Sequence, residues 1–473
     1  MPQKAQIVII GLGSAGLSAL GEVKKLTDDF LLVQNGPYGT SCARSACMPT
    51  KTLMEVASLY HRRKNMAARG ITGSEGLMID RRAVLQYVRQ LRDGFTNGMI
   101  ESTQRYSAKI IQGQAVFIEP NVVKVGETLI TGERIIIATG SRQIFPEAWK
   151  KFSDLILTTE DMVEVPDLPL RMAVIGLGPS GLEYAQALSR LGVEVTGFQS
   201  SAAVARISDP EVNKAVIEAL QHDFPMVFGQ QVEIERHDDG LLLRAGETAT
   251  QVDKVLLTIG RQPNVDGLGL EKIGIRVNER GLPDFSSQTM QVADLPIFIA
   301  GDANGDHQIL HEAIDEGHIA GYNAVHDMPP HCFKRRVPLA IIFTEPNIAF
   351  LGRTYRQLQG VDFVIGSYDF RNQSRARMSG TNRGMVRLYA ERNGGLLLGA
   401  ELAAPDGEHL AHLLALAIDQ KMTVFDLLTL PFYHPVIEEG LRAAIKDAGA
   451  QVTCALKETD LLLCHSQPSD FLC

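Results

Sequence analysis

The feature that most restricts this chain is a glycine turn, set between an apolar run and a helical pattern, that it carries twice. Residues 6–10 read as a buried strand, Gly11, Gly13 and Gly16 space the turn, 14–26 read as a helix, and 30–33 as a second strand. The order returns with a strand at 172–175, a turn spaced by Gly176, Gly178 and Gly181, a helix to about 191 and a strand at 193–198. In such a turn the first Gly makes the bend, the second lets backbone N–H groups approach a pyrophosphate, and the third lets the helix pack on the strand. The helix N-terminus then favours the phosphate charge. One such turn is a weak sign. Two, each in βαβ context, predict two dinucleotide sites, with a flavin and a nicotinamide as the natural pair. An acidic residue usually ends the second strand on the ribose, but Gln34 and Gln199 stand there instead. An amide can still hydrogen-bond to a ribose, yet it does not repel a 2′-phosphate. No Arg follows Gln199 before Arg206, and Gly181 keeps the third glycine position, so NAD is expected over NADP, with NADP left open.

The rest of the chain extends this α/β reading. Its 473 residues suggest about three domains at roughly 150 residues each. Apolar runs at 134–140, 255–260 and 297–302 read as strands that end in tight turns, the last leading into a helix at 310–324. From about residue 338 the pattern changes to antiparallel strands at 341–352, 384–390 and 396–403, then helices at 409–420 and 437–447, which makes a separate α+β domain. A formal charge of -9 argues against a nucleic-acid partner, since phosphates are neutralised by surplus Lys and Arg. The apolar stretch 7–21 is too short and too rich in Gly to span a bilayer, and it lacks the basic start of a signal peptide, so a cytoplasmic protein with no membrane contact is expected.

Six cysteines are present: Cys42, Cys47, Cys332, Cys454, Cys464 and Cys473. The close pair in the CARSAC segment draws attention, because paired thiols in a reducing compartment are more often catalytic or metal-binding than structural. Zinc sites favour a shorter spacing, and no second pair completes one, so no metal is expected. Two unrelated buried thiols are the plain alternative. In a regular helix residues five apart point about 140° away from each other, so a disulfide needs an irregular turn at Cys42. Pro49 favours such a distortion, and Arg44 in the spacer would help stabilise a thiolate.

These residues carry a resemblance. The chain is similar to the flavoprotein disulfide reductases of the pyridine-nucleotide class, and among them to the dihydrolipoamide dehydrogenases, from about residue 5 to 450. The similarity rests on both glycine turns, on GTSCARSACMPTK (Gly39 to Lys51), ATGSR (Ala138 to Arg142), GLE (Gly181 to Glu183), GRQPN (Gly260 to Asn264), AGDA (Ala300 to Ala303), FTEP (Phe343 to Pro346), SRA (Ser374 to Ala376) and YHPVIEE (Tyr433 to Glu439). It implies two doubly wound, Rossmann-like dinucleotide-binding domains plus a C-terminal α+β dimerisation domain. The expected division is 1–148 and 276–337 for FAD, 149–275 for NAD, 338–450 for dimerisation, and a tail at 451–473. The resemblance implies that Cys42 and Cys47 form a redox-active disulfide, with Lys51 near the reactive flavin nitrogen and paired with Glu183. His434 and Glu439 would be the acid–base pair, His434 reaching the disulfide of the other subunit of a homodimer. The cofactor-binding set would comprise Gly11, Gly13, Ser14, Ala15, Gly16, Gln34, Ser41, Lys51, Ala115, Thr139, Gly140 and Asp302, with Asp302 on the ribityl chain of FAD. Gly176, Gly178, Gly181, Gln199, Gly260 and Arg261 complete it.

The implied reaction moves electrons between a dihydrolipoyl dithiol, carried on a lipoylated protein, and NAD. Cys42 is attacked, His434 accepts the proton, and Cys47 passes electrons to FAD. A glutathione-type reductase would have Arg residues soon after 199, and a mercuric reductase a vicinal Cys pair near its C-terminus; both are missing. A lipoyl carrier of another pathway, such as sulfur oxidation, is a further alternative, and a flavoprotein scaffold without turnover is disfavoured by the retained catalytic set. Departures from the family pattern are Thr40, Arg44 and Ala46 around the cysteines, Phe432 before His434, and the two glutamines. His311 and His331 read as structural.

Overall fold

The computed structural model describes residues 3–453. The expected tail, with Cys454, Cys464 and Cys473, lies outside the described residues apart from its first three positions. The first sheet has seven strands. Gln3–Ile10 pairs in parallel with Phe30–Gln34 on one side and Thr128–Ile137 on the other. Ile7, Val8 and Ile9, like Ile135, Ile136 and Ile137, are fully buried. Such uninterrupted apolar runs are what a strand covered on both faces requires. Ile110–Gln112 extends one side in parallel, and Val122–Val125 and Ala115–Glu119 add an antiparallel hairpin on the other. Ile297–Ile299 returns from far along the chain to pair with Thr128–Ile137. The helix that follows, Leu310–Val325, packs on Ser14–Val23. A side chain at Gly317 would strike the backbone of Ala15, and one at Gly321 that of Ala19, so these glycines set how closely the helices approach.

The second sheet is parallel, in the order Met226–Phe228, Glu194–Gln199, Arg171–Ile175, Lys254–Leu257, Ile156–Leu157. The helix Pro179–Arg190 leaves Arg171–Ile175 through the second glycine turn. A third sheet is antiparallel: Leu339–Ile342, Asn347–Gly352, Leu397–Ala404, Met385–Glu391, Phe363–Asp369. The helices Gly407–Asp419 and Glu438–Gly449 cover it.

Some details differ from the sequence reading. The single strand expected at 341–352 is a hairpin of two, interrupted where Pro346 offers no N–H to a ladder. The 24-residue helix Arg81–Gln104, capped by Asp80 accepting from the N–H groups of Arg82 and Ala83, was not foreseen. Its buried face mixes Val84, Leu85 and Val88 with Arg92, Thr96 and Thr103, which hides its apolar stripe. Among the described residues no helix is long and apolar enough to cross a membrane.

Candidate active site

Both glycine turns are built alike. Gly11 and Gly176 have positive φ, +103° and +96°, and a side chain on either would collide with the backbone just past the neighbouring strand, at Ala138 or Thr258. Gly16 and Gly181 lie against the carbonyls of Gly11 and Gly176. Space is open beside Gly13 and Gly178, the positions where a pyrophosphate needs the backbone bare. Ser14 and Ala15 begin the helix after the first turn. Gln34 and Gln199 hold their turns alike through Oε1. Each Oε1 accepts from the turn's own backbone, Leu12 N at 2.9 Å and Leu177 N at 2.8 Å. Gln34 Nε2 donates to Pro37 O; Gln199 Nε2 donates to Ser201 Oγ and Ala203 O. Their amides thus brace the turns from within.

Of the residues expected along a flavin, Thr139 and Gly140 follow the strand beside the first turn, and Asp302 is tied to them through Ser141. Thr139 adjoins Gly11, and its Oγ1 is buried without a partner, as suits a hydroxyl awaiting a polar ligand. Asn264 ties down the neighbouring backbone, its N donating to Gly140 O and its Nδ2 to Thr139 O. Ala115 is buried in its strand, whereas Ser41 is exposed. Asp302 accepts from Ser141 Oγ at 2.5 Å. Arg261 Nε donates to the same hydroxyl at 2.7 Å and stands 3.8 Å from Asp302, so Arg261 belongs to this cluster. Gly260 precedes it, its carbonyl accepting from Ile144 N. Ser141, the hub, was missed by sequence reasoning. Its adjacency to Thr139 and Gly140 in ATGSR was the available signal. Open space at the glycines, an orphaned hydroxyl and a poised carboxylate together fit FAD.

The cysteines sit where one helix breaks into another. Thr40 Oγ1 accepts from Ala43 N and caps Ser41–Arg44. Ala46 N then reaches back to Ser41 O at 2.9 Å, a turn one residue wider than α-helical, and Cys47–His61 starts afresh from Ala46 at φ -120°, ψ -100°. The wide turn brings residues five apart onto one side, so the thiols of Cys42 and Cys47 hydrogen-bond to each other. Both are free thiols. Cys47 is lowered to about 7, by the hydrogen bond from Cys42 and by the Lys51 charge, against the opposing effect of burial. Cys42 is pushed well above the usual thiol range, by donating to Cys47 and by burial. The charge that reaches Cys47 comes from Lys51 and Glu183. The expected help from Arg44 is not among these influences, and Arg44 Nε is buried without a partner.

Lys51, one helical turn beyond Cys47, lies 2.8 Å from both carboxylate oxygens of Glu183 and 4.9 Å from the centre of the Phe343 ring. Glu183, 3% exposed, also accepts from Phe343 N at 3.0 Å. Buried Tyr184 beside it receives a hydrogen bond from Thr50 Oγ1, and burial raises its phenol to about 12. A cleft of 520 Å³ opens next to Lys51, lined by Thr52, Glu55, Val56, Leu59, Tyr87 and Leu91.

His434 Nδ1 lies 2.9 Å from Glu439 Oε1. The hydrogen bond to His434 holds the Glu439 carboxyl below the usual range, with Val436 N donating to its other oxygen. With Nδ1 turned to a carboxylate, Nε2 is left as the proton acceptor. His434 is 72% exposed, and among the described residues no hydrogen bond or ion pair joins it to the cysteines of its own chain. His311 is 3.9 Å from Glu312, and the backbone of His331 is clasped by Asn323. No group of three or more potential ligands for a metal occurs among the described residues.

Comparison with known proteins identifies the family. Residues 5–317 match the family Pyridine nucleotide-disulphide oxidoreductase, and 338–445 match its dimerisation domain. The dihydrolipoyl dehydrogenase of Geobacillus stearothermophilus is 28% identical over 92% of this chain and 94% of its own. A mercuric reductase of Staphylococcus aureus is 27% identical over 95% of this chain and 84% of its own. Among solved structures, the Cu(II) complex of the HOCl-induced flavoprotein disulfide reductase RclA from Escherichia coli superposes with a TM-score of 0.81 at 23% identity, over 94% of this chain and 99% of that one. The chain therefore belongs to the pyridine nucleotide-disulphide oxidoreductases, as a dimerising, FAD-dependent disulfide oxidoreductase of the dihydrolipoyl dehydrogenase type that works with NAD or NADP.

Proposed function

We propose that this enzyme oxidises a dihydrolipoyl dithiol carried on a protein and delivers the electrons to NAD. The observation that carries this reading is geometric: the wide Ser41–Ala46 turn sets Cys42 and Cys47 on one side, and Lys51, held by Glu183, lies one helical turn beyond and lowers Cys47. In the oxidised state the two sulfurs form a disulfide. A substrate thiolate attacks Cys42, the Cys42–Cys47 bond breaks, and Cys47 leaves as a thiolate held by the Lys51 charge. The second substrate sulfur then attacks the mixed disulfide and releases Cys42, while the imidazole Nε2 of His434 on the other subunit takes up the substrate proton. Glu439 fixes the ring and balances its charge. When bound, FAD relays the electron pair from the thiolate to the nicotinamide.

Thr139, Gly140, Asp302 and the turn of Gly11, Gly13 and Gly16 would hold FAD; Gly176, Gly178 and Gly181 would hold the nicotinamide nucleotide. We assign 1–148 and 276–337 to FAD binding, 149–275 to NAD binding and 338–450 to dimerisation, and infer a cytoplasmic location from the cysteine usage, a close pair of the kind that works in a reducing compartment. Reduction of another disulfide by NAD(P)H is the second reading, favoured by the neutral Gln199. The deciding experiment compares free dihydrolipoamide plus NAD with oxidised glutathione plus NADPH. Turnover of the first, abolished by Cys42→Ser with FAD retained, supports the proposal. Turnover of glutathione alone rejects it.

A further inference from the structure

The surface at the end of the Cys47–His61 helix carries charge opposite to the chain as a whole. The net charge is -9. Yet Arg62, Lys64 and Arg69 are exposed in one segment, and Arg375, Arg377 and Arg383 in another. The fold joins the two segments: Arg69 Nη2 donates to Ser379 O at 2.6 Å, and a side chain at Gly380 would run into Arg69. Of the six, Arg62 alone faces a carboxylate, Glu345 at 3.9 Å, among the described residues. Apolar side chains stand in the same stretches, Ile71 54%, Met78 94% and Met378 61% exposed. Tyr60 OH, donating to Leu77 O, holds the 71–78 segment on the helix. Unpaired cations with exposed methionines are the composition of a protein-binding face, since Arg and Met are enriched there and Met adapts to its partner. This face is also tied to the acid–base pair. Gln373, which caps Ser374–Ser379, donates through Nε2 to Val436 O at 2.6 Å, beside the turn that carries His434.

We propose that this basic face docks an acidic carrier domain, whose carboxylates meet the unpaired cations while its apolar residues cover Met78 and Met378. The domain thereby presents its dithiol next to the imidazole that takes the proton. The inference rests on the dithiol-oxidising reading above and goes beyond it by naming where the carrier sits and what charge it bears. Attraction of this kind acts mainly on association, so it is sensitive to salt.

The test uses the FAD-loaded dimer with two substrates, free dihydrolipoamide and a lipoylated domain of net negative charge. It compares the unaltered enzyme with Lys64→Glu/Arg377→Glu and with the milder Lys64→Gln/Arg377→Gln. With the domain, kcat/KM of the unaltered enzyme is expected to fall about tenfold between about 20 and about 500 mM salt. The charge-reversed enzyme is expected to lose about tenfold at low salt and to show little further salt dependence, the neutral variant falling between. With free dihydrolipoamide all three should agree within about twofold, because the cations lie outside the reacting groups. Equal losses on both substrates, or no loss on the domain, overturn the proposal. So does a charge-reversed enzyme that elutes as a monomer, which would make the face a subunit contact. So does a single-stranded oligonucleotide that displaces the domain at equal concentration. Absence of turnover with either substrate in the unaltered enzyme rejects the dithiol reading, and this proposal with it. Turnover of both without any charge effect rejects the docking alone.

Discussion

At the scale of single residues, the chemistry turns on one ammonium and two amides. Lys51 is the cation that acts on Cys47, and its charge favours the thiolate. Lys51→Met is expected to raise the Cys47 pKa, because only hydrogen bonding, chiefly from Cys42, then opposes burial and the Glu183 charge. Thiolate absorbance in the reduced protein, titrated between pH 5 and 9, reads this directly; an unshifted midpoint would remove Lys51 from the account. The two glutamines make a second prediction. Gln199 brings no charge to the second strand end, and its amide is bound to the glycine turn. Discrimination against NADPH should therefore be modest, about tenfold at most in kcat/KM, and Gln199→Glu should widen it by about tenfold through repulsion of the 2′-phosphate. A strict preference in the unaltered enzyme would show that another residue reads the phosphate.

At the scale of elements, glycine decides what can approach what. Gly317 lets Leu310–Val325 lie on Ser14–Val23, and a Cβ there would run into the Ala15 backbone. Gly317→Val is expected to cost about 3 kcal/mol and to weaken FAD retention, since the displaced helix is the one that follows the first glycine turn. Urea unfolding and the flavin-to-protein absorbance ratio check both. The same residue type explains what the sequence disclosed. The two glycine turns and their flanking strands were readable because a steric demand dictates the residue. Phe363–Asp369 was not, because Gly366 interrupts its β pattern; that glycine answers to a neighbour distant in sequence, Ala444 on Glu438–Gly449. Nor could the CARSAC spacing alone choose between a disulfide and two separate thiols. The choice lies in the wide Ser41–Ala46 turn, a backbone feature that no side chain announces. Lys51, Glu183, His434 and Glu439 were named only through the family resemblance, because a lone Lys, Glu or His reads as surface charge or a helix cap; the structure pairs Lys51 with Glu183 and His434 with Glu439. The site was obscure where a residue serves only as a link, as for Ser141 and Phe343.

At the scale of the molecule, Pro179–Arg190 is the part on which several layers converge. Its first turn follows the second glycine cradle, and Glu183, Gln186 and Arg190 meet Lys51, the Glu345 backbone and the Glu345 carboxylate respectively. Arg190, 6% exposed, also pairs with Asp223 at 3.2 Å and donates to Ser58. His61, 4.0 Å from Asp223, is lowered to about 4, by burial first and then by the Arg190 charge. A histidine lowered in the folded state stays neutral while the unfolded chain takes up a proton, so stability falls as the pH drops below about 6.5 and stops falling below about 4. Glu345 adds to the loss at the lower end. Burial raises its carboxyl, but Arg190, Ser58 and Arg62 hold it below its ordinary value, and that contribution disappears as acid protonates it. Urea midpoints at pH 7.5 and 5.5 are expected to fall with acid, and His61→Gln should flatten the slope; an unchanged slope would exclude His61 as its source.

The solvent-facing ring of His434 has one more consequence. If, as proposed, His434 serves the cysteines of the partner subunit, each polypeptide is half of two separate workshops. Preparations lacking Cys42 and preparations lacking His434 should each be inert, yet unfolding and re-pairing them in equal amounts should restore about a quarter of full turnover, because half the pairs are hybrids with one intact centre.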